Sequence, residues 1–287
     1  MKEEVVVQVP ATTANLGPGF DSLGIALNIH NRLVIKKISA RPLSQMMSEA
    51  AEAFFEASGQ TPFEFSCEVE GNIPRSRGLG SSVTIRLGIL LGLNHLTSMP
   101  LSHELLYQIC AKLEGHPDNA AAAAFGGFTV SRRDLAVQKI EIPAHLHFLL
   151  LIPDFEVHTS EARKKMPAAI PLKDAVLSAA HSAWITAAFA LQDYEILRGG
   201  FEDGLHQPYR APLVPFLNDT IQAAEQAGAL GGWLSGSGST IACLTLENPD
   251  RVADAMQKAS PSGSHILRTI ADNQGACLIA DSEAPIK

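Results

Sequence analysis

Apolar positions follow two periods along this chain, and each period predicts a different kind of element. Residues 5–9, Val-Val-Val-Gln-Val, read as a strand that Pro10 ends. Residues 11–21 form a loop rich in Thr, Asn, Gly and Pro, and residues 23–38 resume an extended pattern broken by Asn28 and Asn31. Residues 48–57 carry helical spacing that stops at Gly59, and residues 63–69 alternate as a strand. Beyond a glycine-containing loop, Ile85, Leu87, Ile89, Leu90, Leu91 and Leu93 predict a helix. A second helix runs from about residue 102 to 113, and a short third covers 120–124 before Gly126 and Gly127 lead into a strand through Val130.

After Pro143 the pattern restarts. Residues 146–152 predict a strand, 172–197 a helix, 208–215 a proline-punctuated loop and 219–227 another helix. Residues 228–232 turn into Trp233, and a loop over 235–239 runs into a strand at 240–246. A helix at 251–258 and strands at 264–270 and 276–279 complete the series. Strands and helices mix without strict alternation, which predicts an α+β fold and argues against a doubly wound parallel sheet. Pro143 marks a boundary between residues 1–143 and 144–287.

Composition narrows the function. With 46% hydrophobic and 18% charged residues in 287, the chain folds around a core. Its net charge is −8 and its Lys and Arg are scattered, which argues against nucleic acid as a partner. The start is acidic and the apolar run after it is too short for a signal peptide. No segment approaches the roughly 18 unbroken apolar residues of a membrane helix, and 146–152 reads as a buried strand. Cys67, Cys110, Cys243 and Cys277 form no Cys-x-x-Cys pair, so they read as small buried hydrophobes in a cytoplasmic protein.

Candidate chemistry lies in four polar loops. Pro74, Arg75, Ser76, Arg77, Gly78, Leu79, Gly80, Ser81, Ser82 and Val83 span a loop-to-helix junction. Unpaired backbone N–H groups and the helix dipole make such a junction an anion cradle suited to phosphate. It is neither a Walker A loop nor a dinucleotide fingerprint, and serine N-caps on a flexible turn are the plainer alternative. In the first loop Asn15 and Asp21 present an amide and a carboxylate, either to a small polar ligand or to the local turn. Glu114, His116, Asp118 and Asn119 crowd another turn, where Glu114 with a serine of the glycine loop suits a hard cation such as Mg²⁺. His116 and Asp118 lack the further ligands zinc requires. Ser235, Gly236, Ser237, Gly238 and Ser239 make a second glycine loop, placed to close with the first around one triphosphate.

These loops, in this order, resemble the GHMP family of small-molecule kinases, named for galactokinase, homoserine kinase, mevalonate kinase and phosphomevalonate kinase. The family's three motifs correspond to residues 9–26, 74–84 and 234–241, so the likeness spans nearly the whole chain from end to end. Within the family, the branch acting on homoserine is the most similar. Residues 9–24, Val-Pro-Ala-Thr-Thr-Ala-Asn-Leu-Gly-Pro-Gly-Phe-Asp-Ser-Leu-Gly, resemble its opening signature almost letter for letter. Glu-Gly-His-Pro-Asp-Asn at 114–119, Thr-Ser-Glu-Ala-Arg at 159–163 and His-Gln-Pro-Tyr-Arg at 206–210 are similar to it as well.

The resemblance implies two α+β domains with nucleotide between them: an N-terminal domain like the second domain of a small-subunit ribosomal protein, and a ferredoxin-like C-terminal domain. It implies ATP-dependent phosphorylation of the L-homoserine side-chain hydroxyl to O-phospho-L-homoserine, a step toward threonine. By the same likeness residues 74–83 wrap the ATP phosphates, while Ser82 and Glu114 hold Mg²⁺. Asn15, Asp21, His116 and Asp118 contact the amino and hydroxyl end of homoserine, and Arg163 and Arg210 clamp its carboxylate. Asn119, Asp118 and Arg163 form the catalytic set. Asn119 stands where some relatives carry an aspartate base, which implies a rate won by positioning and charge stabilisation. A homodimer is the assembly such enzymes adopt, with no nucleic-acid or membrane partner.

Some residues depart from the family pattern. Val83, Thr84, Ile85 and Arg86 replace a small apolar run, and Arg86 is expected to reach the surface along its apolar stem, contact with phosphate being the alternative. The third loop reads Gly-Ser-Gly-Ser where many members have a proline, and the adenine-side segment at 39–45 is short. Three other readings stand beside this one: a GHMP kinase acting on a different small amino acid or alcohol, a nucleotide-binding regulator without turnover, and a Rossmann oxidoreductase.

Overall fold

The computed structural model describes residues 3–37 and 42–279; Ile38 and the adenine-side residues Ser39, Ala40 and Arg41 lie outside the described residues. Alternating Val5, Val7 and Val9, all buried, begin β1 (Glu4–Ala14), which pairs with β2 (Leu23–Lys36) along its length. Pro10 does not end the strand as expected. The ladder instead shifts register between Pro10 and Ala11, and a bulge is where a strand tolerates a residue without an N–H. β3 (Ser66–Gly71) and β4 (Phe128–Ser131) both pair with β2, and β5 (Val137–Ile140), which the periodicity missed, pairs with β4.

Four helices cover one face of this sheet: α1 (Gln45–Ser58), α2 (Ser81–Leu96), α3 (His103–Glu114) and α4 (Asp118–Phe125). α1 stops at Gly59, which takes the left-handed conformation of a C-cap, as its spacing predicted. α2 is buried on nearly every side, with Leu87, Leu90 and Leu93 in one core with Val7, Leu33, Phe54 and Tyr107. Gly88 lets it pack directly on Leu33, whose Cδ2 would lie 2.6 Å from an added Cβ.

The second half builds β6 (His147–Ile152), β7 (Gly231–Leu234), β8 (Ile241–Thr245) and β9 (His265–Thr269) into an antiparallel sheet of order β7-β8-β6-β9. With helices after β6 and between β8 and β9, this is the ferredoxin-like arrangement. Residues 228–232, expected to turn, carry the start of β7. The helices are α5 (Thr159–Lys164), α6 (Leu172–Leu191), α7 (Gln207–Arg210), α8 (Leu217–Gln226) and α9 (Pro249–Lys258). α6 is shorter than its apolar pattern suggested, because Gln192 turns left-handed; α5 and the single turn of α7 fall in stretches with too few residues to show a period.

β10 (Cys277–Ile279) leaves the second half and pairs with Val6, Val7 and Gln8 of β1. The first sheet therefore draws a strand from beyond Pro143. A shared core joins the sheets, with Phe128 stacked on Phe189 at 4.2 Å and Trp233 donating from Nε1 to Thr13 Oγ1 at 2.9 Å. Every pairing in both sheets is antiparallel, which excludes a Rossmann fold. Among the described residues, α6 alone has the length and mean hydropathy (1.2) of a membrane-crossing helix, although it contains Lys173 and Asp174. All four cysteines are free; Cys110 and Cys243 are buried as expected, but Cys67 and Cys277 are only half-buried.

Candidate active site

The glycine loop enters α2 through a backbone that few side chains permit. Ser76, Gly78 and Gly80 have φ of 52°, 73° and 68°. Gly80 is the N-cap, and no side chain caps the helix, so neither serine plays the capping role considered above. The first amides of α2 therefore have no side-chain partner at their end of the dipole, the arrangement an anion needs. Bonds to distant segments hold the loop, among them Thr12 N donating to Leu79 O at 3.2 Å, Val157 N to Ser76 O at 3.0 Å, Thr240 N to Arg77 O at 3.1 Å, Arg77 Nε to Pro153 O at 3.0 Å and Ser235 Oγ to Gly78 O at 2.6 Å. A Cβ on Gly78 would collide with Ser235 O. The two glycine loops, far apart in sequence, thus touch.

Below the loop, Ser82 Oγ donates to Glu114 Oε2 at 2.8 Å. α3 ends at Glu114 because Gly115 adopts a left-handed C-cap at φ 80°, which leaves the carboxylate facing the first turn of α2. A hydroxyl and a carboxylate oxygen are hard donors, and this pair fits Mg²⁺ carried with a polyphosphate. Arg86 does not reach the surface as expected. It turns inward because Glu114 and Glu49 offer it carboxylates at 2.6 and 3.0 Å.

Beside this corner lies a second, charge-balanced pocket. α4 begins at Asp118, only 1% exposed, whose Oδ1 lies 2.7 Å from His116 Nδ1 and accepts from Asn119 N at 2.7 Å and Asn119 Nδ2 at 3.2 Å. Burial opposes charge on Asp118, but His116 and the Asn119 donors hold its pKa below the usual value. Burial likewise opposes charge on His116, yet Asp118 raises its pKa overall. Asn119 Oδ1 in turn accepts from Thr12 Oγ1 at 2.7 Å.

Opposite them, Asn15 uses its amide twice: Oδ1 accepts from Asp21 N at 3.0 Å, and Nδ2 donates to Gly236 O at 2.9 Å. Arg163 meets both oxygens of Asp21, at 2.8 and 3.2 Å. Arg210, 2% exposed, donates to Gly236 O at 3.1 Å; burial, then repulsion from Arg163, lowers its pKa to about 10. The Phe20 ring lies within 5.6 Å of Arg163 and 5.0 Å of Arg210, and stacks on His206 at 5.0 Å. Ligand atoms of Asp21, His116 and Asp118 lie within 4.8 Å of one another. Because Asp21 is engaged by Arg163 and Asp118 by His116, this cluster reads as an ion-pair network and not as a metal cage.

One cavity of about 660 Å³, a size typical of small-ligand pockets, is lined by every residue named as a candidate except Pro74 and, in the second glycine loop, Ser235, Gly238 and Ser239. Read from sequence alone, Thr12, Phe20 and His206 had no separate role, though all three lie in motifs quoted above. Glu49 had no signal at all, since one acid on an amphipathic helix looks like any solvated charge.

This fold, glycine loop and pocket define a small-molecule kinase, and the chain belongs to the GHMP kinase family. The family models described as GHMP kinases N terminal domain and GHMP kinases C terminal match residues 45–127 and 185–262. The homoserine kinase of Moorella thermoacetica is 38% identical over 271 residues, 88% of this chain and 92% of that protein. That of Aquifex aeolicus is 35% identical over 294 residues, 94% of this chain and 98% of that protein. The crystal structure of homoserine kinase from Cytophaga hutchinsonii has a TM-score of 0.88 at 27% identity, covering 97% of this chain and 98% of that one. A mevalonate kinase crystal structure, at 14% identity and a TM-score of 0.73, shares the fold.

Proposed function

We propose that this protein is an ATP-dependent homoserine kinase, transferring the γ-phosphoryl group of ATP to the side-chain hydroxyl of L-homoserine in the cytoplasm, on the route to threonine. The observation that carries the reading is that one cavity joins a phosphate-type helix start to a pocket of balanced charge. In that pocket Asp21 and Asp118 face Arg163 and Arg210. Two acids suit an ammonium and two arginines suit a carboxylate, so the pocket complements a zwitterion.

In this reading the amides at residues 78–83 hold the polyphosphate, and Ser82 with Glu114 holds Mg²⁺, which neutralises charge on the phosphates when bound. Asp118 and Asn119, fixed by His116 and Thr12, orient the acceptor hydroxyl. His116 and the Asn119 donors hold the Asp118 pKa below its usual value, which makes it a weak base. Asn119 has no basic site, so these residues supply placement and charge more than proton abstraction.

Comparison of kcat/KM for homoserine, threonine, serine and mevalonate tests the assignment. Homoserine is expected to lead; preference for another acceptor overturns it in favour of a GHMP kinase for a different small alcohol. Arg210→Lys should raise KM for homoserine about tenfold or more while KM for ATP stays near the parent value, since a lysine cannot reproduce the guanidinium fork.

A further inference from the structure

Arg86 joins three helices at the metal corner. Its Nη1 donates to Glu114 Oε1 of α3 at 2.6 Å, and its Nη2 donates to Glu49 Oε2 of α1 at 3.0 Å. Gln45 Nε2 donates to the other Glu49 oxygen at 3.0 Å, which fixes that carboxylate on the helix surface. The Arg86 side chain is 15% exposed and that of Glu114 8%. Burial works against charge on Arg86, but its two carboxylates raise its pKa overall, so the head stays cationic. Glu114 therefore has a guanidinium on one oxygen and the Ser82 hydroxyl on the other.

Divalent cations differ in what they take from a carboxylate. Ca²⁺ accepts many oxygens and often both from one group, whereas Mg²⁺ is small, octahedral and uses few protein ligands. A cation seated on Oε1 repels a second cation from that oxygen but leaves Oε2, beside Ser82 Oγ, available. We infer that Arg86 is a metal-selectivity residue: by holding Glu114 Oε1 it restricts the carboxylate to one-oxygen ligation and so favours Mg²⁺ over Ca²⁺ as the nucleotide's companion ion. Glu49 acts through Arg86, as its tether. The inference rests on the Ser82–Glu114 reading of the metal site proposed above.

Calorimetric binding of a non-hydrolysable ATP analogue, with Mg²⁺, with Ca²⁺ and with chelator, tests this in the full-length protein. In Arg86→Met, affinity with chelator should stay near the parent value, while the Ca²⁺-to-Mg²⁺ affinity ratio rises about tenfold or more. Arg86→Lys keeps a cation and should stay near the parent; Glu49→Gln loosens the arginine and should move the ratio the same way by less. An unchanged ratio in Arg86→Met overturns the inference, and should that variant not fold, an unchanged ratio in Glu49→Gln does so. Glu114→Gln separates the two readings. If metal still strengthens nucleotide binding in that variant, the metal site itself is wrong. If metal loses its effect there while Arg86→Met leaves the ratio unmoved, only the role of Arg86 fails.

Discussion

Glu114 and His206 carry the sharpest expectations among single residues. Replacing Glu114 by Gln keeps the volume and the bond from Ser82 but removes the charge that balances Arg86 and, in the proposed reading, a cation. We expect kcat to fall about a hundredfold or more and the Mg²⁺ needed for half-maximal rate to rise, read from a Mg²⁺ titration of turnover. His206 is fully buried and lends Nε2 to Gly17 O at 2.8 Å, while no partner meets Nδ1. Burial, partly offset by Asp203, lowers its pKa from 6.5 to about 4. The folded protein then holds the ring neutral where the unfolded chain would protonate it. Stability from this group is level above pH 6.5, falls as pH drops toward 4, and levels off below, a loss on the order of 3 kcal/mol. Urea titrations of the parent and His206→Gln across pH 7 to 4 should show the gap between them narrowing on acidification; a constant gap would remove His206 from the acid response.

At the scale of elements, the glycine loop is a part whose shape is imposed from outside. Gly78→Ala would strain a backbone at φ 73° and push against Ser235 O, so the loop must shift. We expect a stability loss above about 1 kcal/mol and a KM for ATP raised at least about tenfold. Ser235→Ala, which removes one tie without adding bulk, should weaken ATP binding less; equal behaviour of the two variants would sink the idea of an imposed shape. Much of this was legible in sequence, because the glycine loops, α2 and the turn at 114–119 are contiguous strings whose residue types state their chemistry. Elements with strong periods were legible too, such as α1 with its stop at Gly59. What escaped depended on distant partners. Pro10 sits inside a strand because the bulge there needs no N–H from it, and Arg86 turns inward because acids on two other helices meet it. Neither fact is written near the residue it governs.

On the scale of the whole molecule, β10 ties the end of the second half to the first strand of the chain. Ending the chain after Gly275 would expose the β1 edge at Val6, Val7 and Gln8. We expect a loss on the order of 2 kcal/mol, a Tm lower by several degrees and self-association visible by light scattering. An unchanged Tm would show that β10 contributes nothing to the fold. A single carbonyl has a wider reach still. Gly236 O receives both the Asn15 amide and the Arg210 guanidinium, so the opening signature, the α7 turn and the loop before β8 meet at one atom. Redesign of acceptor choice by transplanting any one of these segments would misalign the other two; a successful graft has to move all three together.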